Sequence, residues 1–191
     1  FTLVGRLQYS YADGTWNEWH ALFDNGRSGW LSEDNGAYVF SFDAPLSELG
    51  RGQVSQARLT LERYPVEIVL TSPLTRALQT AHGLFEGHPN VPRIQVVPLL
   101  RERVENSCDI GRAPAALAEE FPSIDLSQLN DAWWHKEGQP DARGICVEPI
   151  PVVQARAAQF KVDLLARTER VLALVGHGTF FYYLTGKVMA N

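Results

Sequence analysis

The sequence predicts an α/β fold: a three-layer α/β/α arrangement on a mostly parallel sheet. Three observations carry this. Short apolar runs stand at residues 66–70, 94–97 and 171–175; stretches of helical spacing separate them; and proline or glycine punctuates the changeovers. The 191 residues, 45% hydrophobic, suffice to bury a core, so the chain reads as one domain over 1–191.

The elements follow in order. Residues 1–8 read as a short buried strand (Phe1, Leu3, Val4), weakened near its end by Gly5. Residues 9–42 show no clean period yet hold nine of the twenty aromatics, interleaved with Asp, Asn and Gly, and read as a long ordered insertion. From Ser47 a helix is expected despite two glycines, with Leu49, Ala57 and Leu61 as core contacts. After the strand at 66–70, Ser72 can cap a helix with Pro73 in its first position, running to about Glu86. A strand at 94–97 precedes a helix over 114–120 that stops before Pro122. Val153, Ala157, Phe160 and Leu164 then mark a helix core face, opposite Arg156, Lys161 and Asp163. The last strand, 171–175, runs into Gly176-His177-Gly178 and a helix from Thr179.

Composition excludes several functions. With 17 Lys+Arg against 22 Asp+Glu, the net charge of -5 repels nucleic acid and acidic membrane surfaces, and there is no Walker loop, G-x-G-x-x-G or basic stripe. No apolar run is long enough to span a bilayer, and no signal-peptide pattern is present. An intracellular, soluble protein is expected; the compartment stays open because the chain begins at Phe1. Cys108 and Cys146 read as reduced thiols, Cys108 in a tight turn, and no His or carboxylate pair has metal-ligand spacing.

Three residues stand where open α/β sheets place their ligands, beyond the carboxyl ends of strands. His177 sits between two glycines after the last strand, where a plain turn histidine is the bland reading. Arg76, one turn into the helix after Ser72-Pro73, can grip an anion with its planar fork; a solvated surface arginine accounts for its position equally well. Glu102 follows the third strand and could donate a proton to a leaving oxygen; taken alone, it reads as an ion-pair residue beside Arg101 and Arg103.

The segments PLSELGRGQ from Pro45, TSPLTRALQTA from Thr71, LLRERVENSCDIG from Leu99 and ALVGHG from Ala173 together resemble the histidine phosphatase superfamily, its phosphoglycerate-mutase-like branch. The resemblance implies a metal-free, cofactor-free site. There a histidine from an Arg-His-Gly triplet after the first strand takes up the phosphoryl group, while two arginines and a second histidine hold its oxygens. It makes Arg76 the second arginine, His177 the second histidine and Glu102 the proton donor. The triplet itself does not match: Gly5-Arg6-Leu7 stands in its place, which puts Arg6 near the family's arginine but supplies no nucleophile. Arginine cannot be phosphorylated as an imidazole is. His20, the nearest histidine downstream, lies inside the aromatic insertion.

The expected function is therefore a histidine-phosphatase-fold protein that keeps a cationic pocket of Arg6, Arg76 and His177 for phosphate or a phosphorylated small molecule, with turnover lost or impaired. Such a protein would act as a binding or structural subunit. The alternative is an active phosphomonoesterase or phosphomutase. A protein partner or oligomer contact is expected through Trp16, Trp19 and Trp30, although rings closing a local core account for them as well.

Overall fold

The structure, a computed structural model, describes the backbone of four strands in the first 44 residues and, in full, residues 45–187. Where the sequence suggests one domain, the chain divides into two compact units, Phe1–Ala44 and Pro45–Asn191.

In the first unit, β1 (Thr2–Tyr11), β2 (Gly14–Leu22), β3 (Ser28–Asp34) and β4 (Ala37–Ser41) form a four-stranded antiparallel sheet in sequence order. Residues 9–42, read from the sequence as a long ordered insertion, thus supply the end of β1 and all of β2, β3 and β4 to a meander in which β1 pairs with β2 antiparallel. Physically, Trp, Tyr and Phe favour the pleated backbone, and the dipeptides Asp13-Gly14, Asn25-Gly26 and Asn35-Gly36 are turn signals in the sequence between the strands. Spacings such as Trp16-Asn17-Glu18-Trp19 hide the alternation. Gly5 falls at a register shift between Leu3 and Gly5, a place where glycine within a strand is common.

The second unit holds the predicted three layers. Strands β5 (Ile68–Thr71), β6 (Arg93–Val96) and β7 (Leu172–Val175) form a parallel sheet in the order β6-β5-β7. Alternation along β5 sends Val69 to one face, where Ala77, Ala81 and Phe85 of α2 (Thr75–Phe85) cover it. Ile68 and Leu70 go to the other face, against Ala157 and Phe160 of α4 (Ile150–Leu165) and Phe180 of α5 (Gly178–Thr185). Each of the fully buried rings Phe85, Phe160 and Phe180 contributes about 1.5–3 kcal/mol by leaving water. A third cluster gathers Leu74, Leu78, Leu117 of α3 (Pro114–Glu120), Phe121 and Trp133.

Three sequence expectations need correction here. The helix α1 (Glu48–Leu61) is capped by Ser47 as its sequence suggests, but Leu49 and Ala57 are exposed; only Leu61 packs against the core. α2 starts at Thr75, not Pro73, because the Ser72 hydroxyl accepts from Leu74 N and keeps Ser72-Pro73 out of the helix. Arg156 is buried rather than solvent-facing, because it pairs with the fully buried Glu148.

Gly111 makes one contact that no larger residue permits: a Cβ there would overlap the Trp133 indole, whose Nε1 donates to Arg112 O at 3.0 Å. Gly111→Ala is expected to cost about 1–3 kcal/mol, as overpacking does, read as a lowered urea midpoint.

Candidate functional site

The site grows from the carboxyl ends of the parallel strands. Ser72, just past β5, donates its N–H to Val175 O at 2.9 Å and so ties the ends of β5 and β7 together. His177 follows β7 in an extended conformation and caps α5; its Nε2 lies 2.8 Å from Ser72 Oγ. The glycine before it has a steric reason: a Cβ on Gly176 would stand 3.0 Å from Phe181 Cζ and 3.4 Å from Leu100 O. His177 is buried, and its pKa is pushed down to about 3, first by burial and then by the charges of Arg76 and Arg156. At neutral pH it is an uncharged imidazole.

Arg76 projects from the first turn of α2. Its Nη2 pairs with Asp109 Oδ1 at 3.0 Å and its Nη1 donates to Cys108 O at 2.7 Å. With 23% of its side chain exposed and this pair in place, it is not a solvated surface arginine. Asp109 also accepts from Glu105 N and Asn106 N, which makes the short 3-10 turn Ser107–Asp109 a fixed partner. Cys108 is placed in the tight turn its sequence suggests.

Glu102 is separated from its arginine neighbours. Arg101 pairs with Glu148 at 2.8 Å and Arg103 with Glu105 at 2.9 Å, while the Glu102 carboxylate accepts from Arg103 N at 2.8 Å and from Thr179 N, in the first turn of α5, at 3.2 Å. Burial raises the Glu102 pKa, and Asp109 adds to the rise; the two backbone bonds and Arg76 oppose it. A carboxyl with raised proton affinity is what a leaving-group acid requires.

Arg76, Glu102 and His177 are thus brought into one electrostatic cluster, Arg76 acting on both of the others. Arg6 stands in β1 opposite Trp19, in the other unit, its side chain outside the described residues. Trp16, Trp19 and Trp30 lie in β2 and β3, their side chains outside the described residues. Sequence reasoning missed Ser72 as a partner of His177, Asp109 as the counter-ion of Arg76, and the Glu148–Arg156 pair. Only the first had a visible signal, its place at a strand end.

Among the described residues no group of three His, Cys, Asp or Glu could hold a metal ion, and no helix is long and apolar enough to cross a membrane. Two cavities, of about 630 and 480 Å³, both touch His82 and Glu86 at the far end of α2 and include none of the cluster. At 1.5 Å per residue, Glu86 lies about 15 Å along from Arg76.

The buried neutral imidazole has a consequence for acid stability. An unfolded chain takes up the His177 proton near pH 6.5 and the folded chain only near pH 3, so stability from this group falls as pH drops through that window. His177→Asn is expected to flatten the stability–pH slope below pH 6 by up to about 1.4 kcal/mol per pH unit, measured by urea unfolding between pH 6.5 and 4.5.

Comparison with known proteins adds the family. The sequence model of the Histidine phosphatase superfamily (branch 1) matches residues 26–190, leaving Gly5-Arg6-Leu7 outside the match. A phosphoglycerate mutase-like protein of Arabidopsis thaliana is 29% identical over 188 residues, covering 80% of this chain and 66% of its own length. Glucosyl-3-phosphoglycerate phosphatase of Mycolicibacterium vanbaalenii is 28% identical over 150 residues, covering 77% and 64%. The solved structure of mycobacterial hydrolase 1 is 27% identical, with a TM-score of 0.50 over 76% of this chain and 69% of that one. The chain spans a little under two thirds of these curated relatives. With most of its residues matched and a parallel sheet carrying Arg76, Glu102 and His177 at its strand ends, the chain belongs to the histidine phosphatase superfamily, branch 1.

Proposed function

We propose that this chain binds the phosphoryl group of a small phosphorylated molecule at Arg76 and His177, beside Glu102, and does not turn it over through a phosphohistidine. It would then serve as a binding or structural subunit. Family membership supports the ligand class. So does the setting: an arginine in the first turn of one helix and a histidine capping another, where backbone N–H groups favour anions.

One observation carries the loss of turnover. Of the three parallel strand ends among the described residues, β5 delivers Ser72-Pro73, β6 delivers Val97-Pro98, and only β7 delivers a histidine. That histidine is hydrogen-bonded to Ser72, and Gly5-Arg6-Leu7 adds none. The raised proton affinity of Glu102 favours a second reading, an active phosphomonoesterase, because it preserves the acid that the leaving group needs.

Two measurements separate the readings. Calorimetric titration with inorganic phosphate is expected to show binding that Arg76→Ala weakens at least about tenfold, the loss of a charge-assisted bidentate contact. Incubation with a radiolabelled phosphomonoester, followed by rapid quenching, is expected to leave no acid-labile label on the chain. Label would establish the active reading, and an absence of phosphate binding would overturn both.

A further inference from the structure

The backbone that carries Glu102 is irregular, yet one buried side chain holds it. Arg156 Nη1 donates to Leu99 O at 2.6 Å and Arg101 O at 2.7 Å; Nη2 donates to Glu148 Oε2 at 2.9 Å and, over a longer 3.5 Å, to Glu102 O; Nε donates to Glu148 Oε1 at 3.2 Å. All five guanidinium protons therefore have acceptors. Glu148 is equally occupied: Oε1 accepts a second bond from Arg101 Nη2 at 2.8 Å and Oε2 one from Val104 N at 3.4 Å. Its backbone joins the same segment, N–H to Val104 O at 2.8 Å and O from Arg103 Nε at 2.9 Å. The Arg156 guanidinium carbon also lies 4.9 Å from the centre of the Phe180 ring, in the helix that His177 caps. One side chain thus touches both the segment bearing Glu102 and the helix that receives its carboxylate.

We propose that Arg156, locked by Glu148, is a positioning residue that holds the Glu102 carboxylate on the first turn of α5, beside His177. Glu102 bonds Thr179 N at 3.2 Å, so a displacement of about 1 Å in its backbone takes that bond beyond hydrogen-bonding range. A lysine would keep the charge, but its single nitrogen cannot span two carbonyls and a carboxylate as the planar fork does. The placement of Glu102 is a property of the unliganded chain; only its consequence for phosphate rests on the proposed function.

Arg156→Lys and Glu148→Gln in the whole chain test this by NMR without ligand, following the Glu102 side-chain carboxyl carbon and the Thr179 amide against pH. In the unsubstituted chain the Thr179 amide is expected to shift together with the Glu102 titration. In a folded variant that linkage should disappear, the Glu102 midpoint should rise further because the Thr179 bond that opposes the burial shift is lost, and phosphate should bind about five- to tenfold more weakly. A cooperatively folded variant with both signals unchanged would reduce the pair to a structural staple and overturn the proposal; so would failure of both variants to fold. If the linkage is lost in the variants but the unsubstituted chain binds no phosphate, the positioning role stands and the proposed function falls.

Discussion

A carboxylate with no exposure to water, Glu148, is the constraint around which the parallel-sheet unit is organised. Left unpaired, such a charge costs several kcal/mol, and a pair repays that only when every lone pair and proton finds a partner. Here Arg101, Arg156 and the Val104 amide supply partners to both Glu148 oxygens, while Arg101 Nε stays buried without one. Gathering them bends residues 99–104 into one course, which seats Leu100 in the core against Phe160 and Phe180 and leaves Glu102 at the start of α5. Burial also lowers the Arg101 pKa to about 10, with Arg156 opposing its charge as well, but Arg101 remains a cation at neutral pH.

The cluster beyond the strand ends is neutralised from within. Asp109 answers Arg76, and Glu102 answers the amide groups of α5. Under the proposed function, an entering anion would exchange one negative partner for another instead of meeting bare positive charge. Such an exchange would favour a doubly charged, multidentate oxyanion over a lone carboxylate, because only the former engages several donors at once. The buried neutral imidazole of His177 fits the same logic, since it adds a polar group without another desolvated cation.

The parts legible in the sequence are those fixed by local pattern. Apolar runs placed β5, β6 and β7 within a residue or two, and Pro114 and Pro122 bracketed α3. Motif order singled out Arg76, Glu102 and His177, each of which follows a strand end, and the structure brings the three into one electrostatic cluster. Illegible were the features set by tertiary pairing. Arg156 sits on a helix beside polar residues and reads as solvent-facing until Glu148, eight residues earlier, is seen buried next to it. The antiparallel pairing of the first unit was hidden because aromatic and polar residues break strict alternation there, although Asp-Gly and Asn-Gly dipeptides stand between the strands in the sequence.

The hydrogen bond between Ser72 and His177 spans 105 residues of sequence, that between Thr179 and Glu102 spans 77, and that between Arg156 and Leu99 spans 57. Loop closure must be complete before contacts of this range are rewarded, whereas the β5–α2–β6 segment can organise from near neighbours. The cluster of Arg76, Glu102 and His177 therefore depends on contacts between distant parts of the chain, two of which α5 and its cap supply. The integrity of this cluster is in effect a report that α5 has docked on the sheet.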